Sequence, residues 1–478
     1  MSKTVTRCPA STRCRAQGPP MLPSPMNPRS MPPPSYPAVP QGDSFGRWRA
    51  LQTEPVTAET SSQTYDRAAV QRRTTAVAMS AVVPTTAAMG ASFAASAVLA
   101  EDITGSVILA TLAAGSMSIG SMVAAVPLSR RMARLGRRSG LVAGWAMCAA
   151  GAVAAVLAAV LNLYPLVVLG MIGVGAGQAT NLAARYAVAD LAPDNRLARS
   201  IGMLVWASTF GAAAGPTIAL GPVADFAGFI GLPELSGPYV LGTAMFVAGL
   251  AITHTWMRPD PLEVLGTIGS EAPRPASPLT VIRRIAAVPA ARLALLAMLV
   301  GQMVMVGIMT ATPLHMTSGD QDIAVIGQVV SLHIIGMYAF SPVVGWLVDR
   351  LGTHTVIILG GLILFVGAEL AGHTDPEHSA GLFSGLTLIG IGWSCGLIAG
   401  SALLTNSFPV HQRVEVQGGA DFVMITGGAV GGMSSGAFVE WLGFQSLSHY
   451  SGIAALLLVA AAVGAWFTAR MARTRQLA

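Results

Sequence analysis

The 478-residue chain predicts an all-α membrane protein with twelve transmembrane helices in two six-helix pseudo-repeat halves. Three observations lead there. Residues are 53% hydrophobic and 10% charged, against about 25% charged in an ordinary soluble domain, which excludes a soluble enzyme. Apolar stretches of about 20 residues, the length that crosses a hydrocarbon core of about 30 Å, recur twelve times between residues 74 and 470. Landmarks in the first six stretches return in the last six at a constant offset of 216 residues, the mark of a parallel duplication.

Residues 1–73 come first and differ in composition from everything after them. Of the 30 prolines, 12 fall in residues 1–72, with runs such as Pro32-Pro33-Pro34 and no apolar period. Such a segment cannot bury enough apolar surface to fold, so a disordered, basic cytoplasmic tail is expected. It lacks the continuous apolar core of a cleavable signal peptide. The tail also carries the whole formal charge of +6, since residues 74–478 hold equal numbers of acidic and basic side chains. The basic balance therefore implies no nucleic-acid partner; the bilayer is the expected surroundings. Cys8 and Cys14, with Met21, Met26 and Met31 at five-residue spacing, read more simply as a plain extension than as a metal-collecting tail. With Cys148 and Cys395 in apolar stretches of opposite halves, the cysteines indicate no disulfide framework.

The N-terminal half, residues 74–257, holds spans at 74–99, 106–128, 140–161, 164–189, 201–223 and 237–257. A Pro-rich polar stretch over residues 258–291, with Pro259, Pro261, Pro273, Pro275 and Pro278, reads as a cytoplasmic linker. The C-terminal half, residues 292–470, holds spans at 292–316, 323–348, 355–372, 380–406, 417–440 and 450–469, and residues 471–478 form a short tail. Threading these spans puts Arg130, Arg131, Arg134, Arg137, Arg138, Arg196, Arg199, Arg350, Arg413, Arg473 and Arg475 at one end of the bundle with the linker. The opposite loops carry Glu101, Asp102, Asp225, Glu234, Asp320, Asp322, Asp375 and Glu377 and no Lys or Arg. The positive-inside rule then predicts both termini in the cytoplasm and a multi-pass protein of the cytoplasmic membrane.

The duplication is read from two landmarks. Leu135-Gly136 corresponds to Leu351-Gly352, and Gly211 and Gly215 in span five fall on Gly427 and Gly431 in span eleven. The loop Gly345-Trp346-Leu347-Val348-Asp349-Arg350-Leu351-Gly352 resembles the signature loop of the major facilitator superfamily, G-x-L-x-D-R-x-G. The resemblance implies the major facilitator fold over nearly all of residues 74–470 and a secondary transporter without a resident cofactor. It also implies a cytoplasmic gate held at Asp349 and Arg350 between Gly345 and Gly352. The matching loop after span two has Ala133 where the family has aspartate, which leaves the N-half gate unassigned. No span or loop spaces a nucleophile, a base and an oxyanion donor for catalysis, so no enzymatic activity is expected.

Two pairs of side chains suggest a cargo. Met305 and Met309 in span seven, and His333 and Met337 in span eight, are each four residues apart, so each pair lies on one helix face. Both pairs are expected near mid-membrane, where adjacent antiparallel spans would bring them to one level. Thioether and imidazole are neutral, soft-to-borderline donors that suit Cu(I) best. The bland reading stands beside this: flexible Met side chains commonly fill gaps between helices, whereas an ionisable His deep in a span is by default functional.

The runs Met303-Val304-Met305-Val306-Gly307-Ile308-Met309 and His333-Ile334-Ile335-Gly336-Met337 resemble the MxxxM and HxxxM motifs of the CcoA-like copper importers, a branch of the same superfamily. That resemblance implies copper import for cytochrome oxidase assembly, with Met305, Met309, His333 and Met337 handling the ion and copper acceptors inside the cell. The branch also includes relatives resembling riboflavin importers. An organic nutrient such as a flavin, held by Trp206, Gln178 and Asn181, is therefore the alternative cargo. Proton-coupled drug efflux is a further alternative, suggested by the antiporter-like run from Gly211 to Pro216, but Ala219 breaks the fuller pattern and spans one to three hold no carboxylate at depth. His315, Met316, His373 and His378 are candidates for capturing cations at the outer mouth. Asp421 is the candidate for proton coupling, and Trp393 for stacking a flat substrate.

Overall fold

The structure is a computed structural model that describes residues 65–219, 222–229, 231–268 and 277–477. Every long regular element among them is an α-helix, the form that satisfies its own backbone N–H and C=O groups where no water is at hand. In chain order the helices are α1 (Arg67–Thr104), α2 (Val107–Leu135), α3 (Arg137–Leu161), α4 (Tyr164–Ala187), α5 (Leu197–Ala219), α6 (Pro222–Phe229) and α7 (Gly237–Trp256). There follow α8 (Pro261–Val264), α9 (Pro278–Ala287), α10 (Pro289–Thr317), α11 (Ile323–Tyr338), α12 (Ser341–Leu351), α13 (Thr353–Gly372), α14 (Ala380–Asn406) and α15 (Val410–Leu477).

Among the described residues, ten helical segments are long and apolar enough to cross a membrane, α11 and α12 together making one of them. One of them, α15, is two helices meeting at Gly443, whose φ of 83° lies outside any right-handed helix. With α5, which runs along α1, the described residues are consistent with the twelve predicted spans. The protein is a multi-pass membrane protein.

Several boundaries differ from the sequence reading. Helix α1 starts at Arg67, inside the segment assigned to the tail, because the Asp66 carboxylate accepts from the N–H groups of Ala68 (2.9 Å) and Ala69 (3.2 Å) and so caps the first turn. Residues 1–64 of the proposed tail, Cys8, Cys14, Met21, Met26 and Met31 included, lie outside the described residues. Span eight is two helices, α11 and α12, broken between Tyr338 and Ser341; Pro342 lacks the N–H that would continue the ladder. The linker is partly helical. In α9, Ser277 caps the N-terminus, Pro278 occupies the first turn, and Val281 and Ile285 are buried at a spacing of four. Those two side chains lie over Gly419 of α15.

Close helix contacts reproduce the duplication in space. A Cβ on Gly211 or Gly215 of α5 would collide with the backbone of α1 at Val83 and Ala87. Their counterparts at the 216 offset, Gly427 and Gly431, press α15 onto α10 at Leu299 and Met303. Gly136 (φ 90°, ψ 161°) and Gly352 (φ 87°, ψ 156°) make the same turn into α3 and α13. That positive φ favours glycine, so the repeated Leu-Gly landmark has a backbone cause.

Candidate functional site

The functional geometry is built where the two halves meet at their arginine-rich end. At one corner, α12 of the C-terminal half lies on the start of α5. The Asp349 carboxylate accepts from the backbone N–H groups of Ala198 (3.1 Å) and Arg199 (2.9 Å). An anion at a helix N-terminus satisfies orphan donors and complements the helix dipole. The approach needs Gly345 and Gly202: a Cβ on Gly345 would sit 2.6 Å from the Ala198 carbonyl oxygen, and one on Gly202 would strike the Ser341 carbonyl. The predicted gate residues divide their roles, for Gly352 makes the turn and Arg350 leaves the contact to lie over Trp346, 5.2 Å from its ring centroid.

At the second corner α2 meets α15, where a Cβ on Gly418 would strike Ser129. Here Ala133 supplies no carboxylate. Instead the buried Arg137 donates to both oxygens of Asp190 (2.8 and 3.1 Å) and, across the halves, to Gln417 Oε1 (2.6 Å). The linker contributes Asp260, which accepts from the N–H groups of Arg137 (3.1 Å), Arg138 (2.8 Å) and Leu262 (2.9 Å) and thereby anchors the start of α3.

Deeper in, Arg185 of α4 and Asp421 of α15 form a buried ion pair between the halves. Arg185 also donates to Ser401 of α14 (2.9 Å), to the Leu182 carbonyl (2.7 Å) and to the Tyr186 hydroxyl (3.0 Å). Arg185 and Ser401 are 216 residues apart, so equivalent positions of the two repeats touch each other there.

Above this pair lies a cavity with about 500 Å³ of empty space, open solvent at its mouth included. Helices α1, α4 and α5 supply one wall, with Thr86, Met89, Gln178, Asn181 and Ser208 as its polar and soft groups. Tyr338 of α11 and Trp393 and Leu397 of α14 supply the other. Asn181 donates to Thr86 Oγ1 (3.2 Å) and to Met89 Sδ (3.4 Å). The Trp393 indole donates to Gln302 Oε1 (2.7 Å) and meets the Tyr338 ring edge-on at 5.9 Å.

A family model described as Major Facilitator Superfamily matches residues 77–321 and 294–477. The chain belongs to the major facilitator superfamily. The Bacillus subtilis MFS-type transporter YdeG is 36% identical over 344 residues, which cover 72% of this chain and 80% of YdeG. A second B. subtilis MFS-type transporter, YddS, is 32% identical over 366 residues, 74% of this chain and 81% of YddS. The Brucella anthropi riboflavin transporter RfnT is 25% identical over 337 residues, 69% of this chain and 80% of RfnT. Among solved structures, the human organic anion transporter MFSD10 superposes with a TM-score of 0.68 at 16% identity, covering 82% of this chain and 99% of that one. The E. coli fucose:proton symporter FucP gives 0.61 at 15%, covering 81% and 98%. These two establish the shared fold.

In this superfamily member the four residues proposed for copper do not line the central cavity. Met305 and Met337 are buried and Met309 partly so. Helix α10 makes its close approaches to α14 at Trp393 and to α15 at Gly431, whereas α11 lies on α14 at Gly390. The neighbouring-helix arrangement expected for the two pairs is therefore weak, since α14 holds both helices. His333 is fully buried and its Nδ1 is 2.7 Å from the Leu386 carbonyl oxygen. A carbonyl only accepts, so Nδ1 carries the proton, and Nε2 has no partner among the described residues.

His315 Nε2 bonds the Thr374 carbonyl (3.0 Å) and its ring stacks on Phe444 at 4.2 Å. Met316 is fully buried, and His373 bonds the Glu369 carbonyl (2.9 Å). The backbone N–H of His378 bonds the Asp375 carbonyl (2.9 Å). Of the flavin-type candidates, Gln178 and Asn181 line the cavity, but Trp206 packs edge-on against Phe210 at 5.0 Å outside it. Sequence reasoning missed Tyr338, Gln302 and Asp260. Tyr338 directly follows Met337, so it was visible but overshadowed by the Met and His pattern.

Proposed function

We propose that this protein is a secondary transporter that imports a small, uncharged organic solute with a flat ring through the cavity between its halves, a flavin being the working example. One observation carries the reading. The cavity sets amide and hydroxyl groups of Gln178, Asn181, Thr86 and Ser208 against an aromatic wall of Trp393 and Tyr338. Aromatic faces hold planar rings by stacking, and a few placed polar groups fix orientation. Arg185 reaches the cavity, but its charge is matched by Asp421, so the site favours a solute without net charge. The likeness to the riboflavin transporter RfnT supports this choice.

Copper import is the second reading, and His333 is what favours it. A buried imidazole whose Nδ1–H is tied to a carbonyl presents Nε2 as a fixed lone pair, the usual arrangement of a metal-ligating histidine. Met337, four residues on, would supply a soft second donor. Copper delivered this way would pass to acceptors inside the cell for cytochrome oxidase assembly.

The test is uptake of labelled riboflavin and labelled copper in cells lacking the native gene, complemented with this protein. Riboflavin uptake that falls at least tenfold in Asn181→Ala and Trp393→Ala, with no copper uptake, supports the first reading. Copper uptake lost in His333→Ala would replace it with the second.

A further inference from the structure

Gln302 of α10 stands behind the cavity wall and is not among the residues that line the cavity. Its Oε1 accepts from the indole N–H of Trp393 on α14 at 2.7 Å. An indole N–H can only donate, so the other end of the same amide, Nε2, turns away toward α15. There it lies against Gly428: a Cβ on that residue would sit 2.8 Å from Gln302 Cγ and 2.9 Å from Nε2. One amide thus joins three helices of the C-terminal half, and the room for it exists because position 428 carries no side chain.

Trp393 has use for such a partner. It forms the cavity wall while only 3% exposed, and its ring turns about χ2, a torsion whose preference is broad and roughly two-fold. Turning the ring over would carry the N–H away from Gln302 and swing the six-membered ring to the other side of the Cβ–Cγ axis, so the flat surface offered to the cavity would change place. The Tyr338 ring, edge-on at 5.9 Å, bears on the plane of the indole and not on which edge carries the nitrogen. The hydrogen bond to Gln302 makes that choice.

The N-terminal half holds its own wall in the same way with different residues. At the 216-residue offset Gln302 corresponds to Thr86 of α1 and Gly428 to Ala212 of α5. Thr86 Oγ1 accepts from Asn181 of α4 at 3.2 Å, and Asn181 lines the cavity as Trp393 does. In each half a polar acceptor on the first helix of the repeat therefore holds a cavity-wall donor on the fourth. The short threonine stands where the fifth helix has alanine; the long glutamine stands where it has glycine.

We propose that Gln302 is a positioning residue of the solute site, which sets the Trp393 indole so that its face stands ready for a planar ring. This rests on the function proposed above, in which solute stacks on Trp393. Gln302 touches no solute and acts through the indole. A ring held in place before solute arrives lowers the ordering cost of binding, so loss of Gln302 is felt in KM and leaves turnover nearly unchanged.

The first arm of the test reads the ring without any cargo. In the purified full chain labelled with 5-fluorotryptophan, the fluorine resonance missing from Trp393→Phe is that of Trp393. A single narrow line is expected in the wild type. Gln302→Met keeps the length of the side chain but offers only a weak thioether acceptor, and the line should move by at least its own width or split. Gln302→Glu keeps an oxygen acceptor and should return one line. Gly428→Ala leaves both partners of the bond in place, yet it should displace the line, because the new methyl meets Gln302. A Trp393 line unmoved in Gln302→Met overturns the proposal; should that variant fail to melt as a folded protein, an unmoved line in Gly428→Ala overturns it instead.

The second arm is riboflavin uptake into proteoliposomes. In Gln302→Met, KM should rise about tenfold or more while kcat changes by less than about threefold, the pattern of lost binding shared by ground and transition states. Gln302→Glu should return KM to within about threefold of the wild type. A fall in kcat with KM unchanged would assign Gln302 to the movement of the helices and overturn the positioning role. If the wild type carries no riboflavin, the cargo reading fails, and the fluorine line still decides whether Gln302 sets Trp393.

Discussion

The two corners that join the halves at the arginine-rich end descend from one repeat, yet they are built differently. The α12–α5 corner is closed by a carboxylate on backbone: Asp349 holds the N–H groups of Ala198 and Arg199. At the α2–α15 corner the equivalent loop has Ala133, and the contact runs through side chains, Arg137 to Gln417, with Asp190 neutralising the arginine. Duplicated backbone geometry, seen in Gly136 and Gly352, has been kept while the chemistry of closure diverged. A carboxylate on helix N–H groups is partly exposed and can be remade each cycle at modest energy. The buried Arg137–Asp190 pair is a fixed strut within the N-terminal half, and the single Arg137–Gln417 hydrogen bond is what it holds across the corner.

That contrast is broken most severely at Asp190. Asp190→Ala leaves Arg137 charged and buried without its partner, and removing one member of a buried pair costs about 3–5 kcal/mol. Thermal melting in detergent should show a large loss of stability. Asp349→Ala removes only a helix cap, worth about 0.5–2 kcal/mol, so the protein should fold while transport of any solute slows; uptake assayed beside melting separates the two. An equal loss of stability in both variants would erase the distinction between strut and latch. The finest probe is Ala133→Asp, which restores the family residue at the second corner. A helix N-terminus gains about 0.3–1 kcal/mol from a nearby anion, so a small slowing of hydrogen exchange over residues 410–413, the first turn of α15, is expected.

Most of the fold was legible because membrane spans are written in composition. Twenty apolar residues need little context, and α14 occupies the predicted span, residues 380–406. Errors arose where local chemistry overrides apolar length, as at the Asp66 cap of α1 and at the break before Pro342. The contact of Asp349 with the start of α5 was legible, since a signature loop places a carboxylate at a fixed backbone turn. The pairing of Arg185 with Asp421 was not, because it joins residues 236 apart on different repeats. Spacing along one helix, which suggested the Met and His pairs, says which face a side chain occupies but not which helix lies opposite. Here α14 stands against both α10 and α11, a tertiary fact with no trace in the spacing.

On the proposed function, solute is handled in the cavity walled by Trp393 and Asn181 rather than at the Met305, Met309, His333 and Met337 positions. The most direct measurement is riboflavin uptake, with copper uptake in parallel, by the wild type, Trp393→Ala and His333→Ala at matched membrane levels. Riboflavin uptake is expected in the wild type, with a loss of at least tenfold in Trp393→Ala and a change of less than about threefold, under about 1 kcal/mol, in His333→Ala. Copper uptake that survives in Trp393→Ala and vanishes in His333→Ala would contradict it.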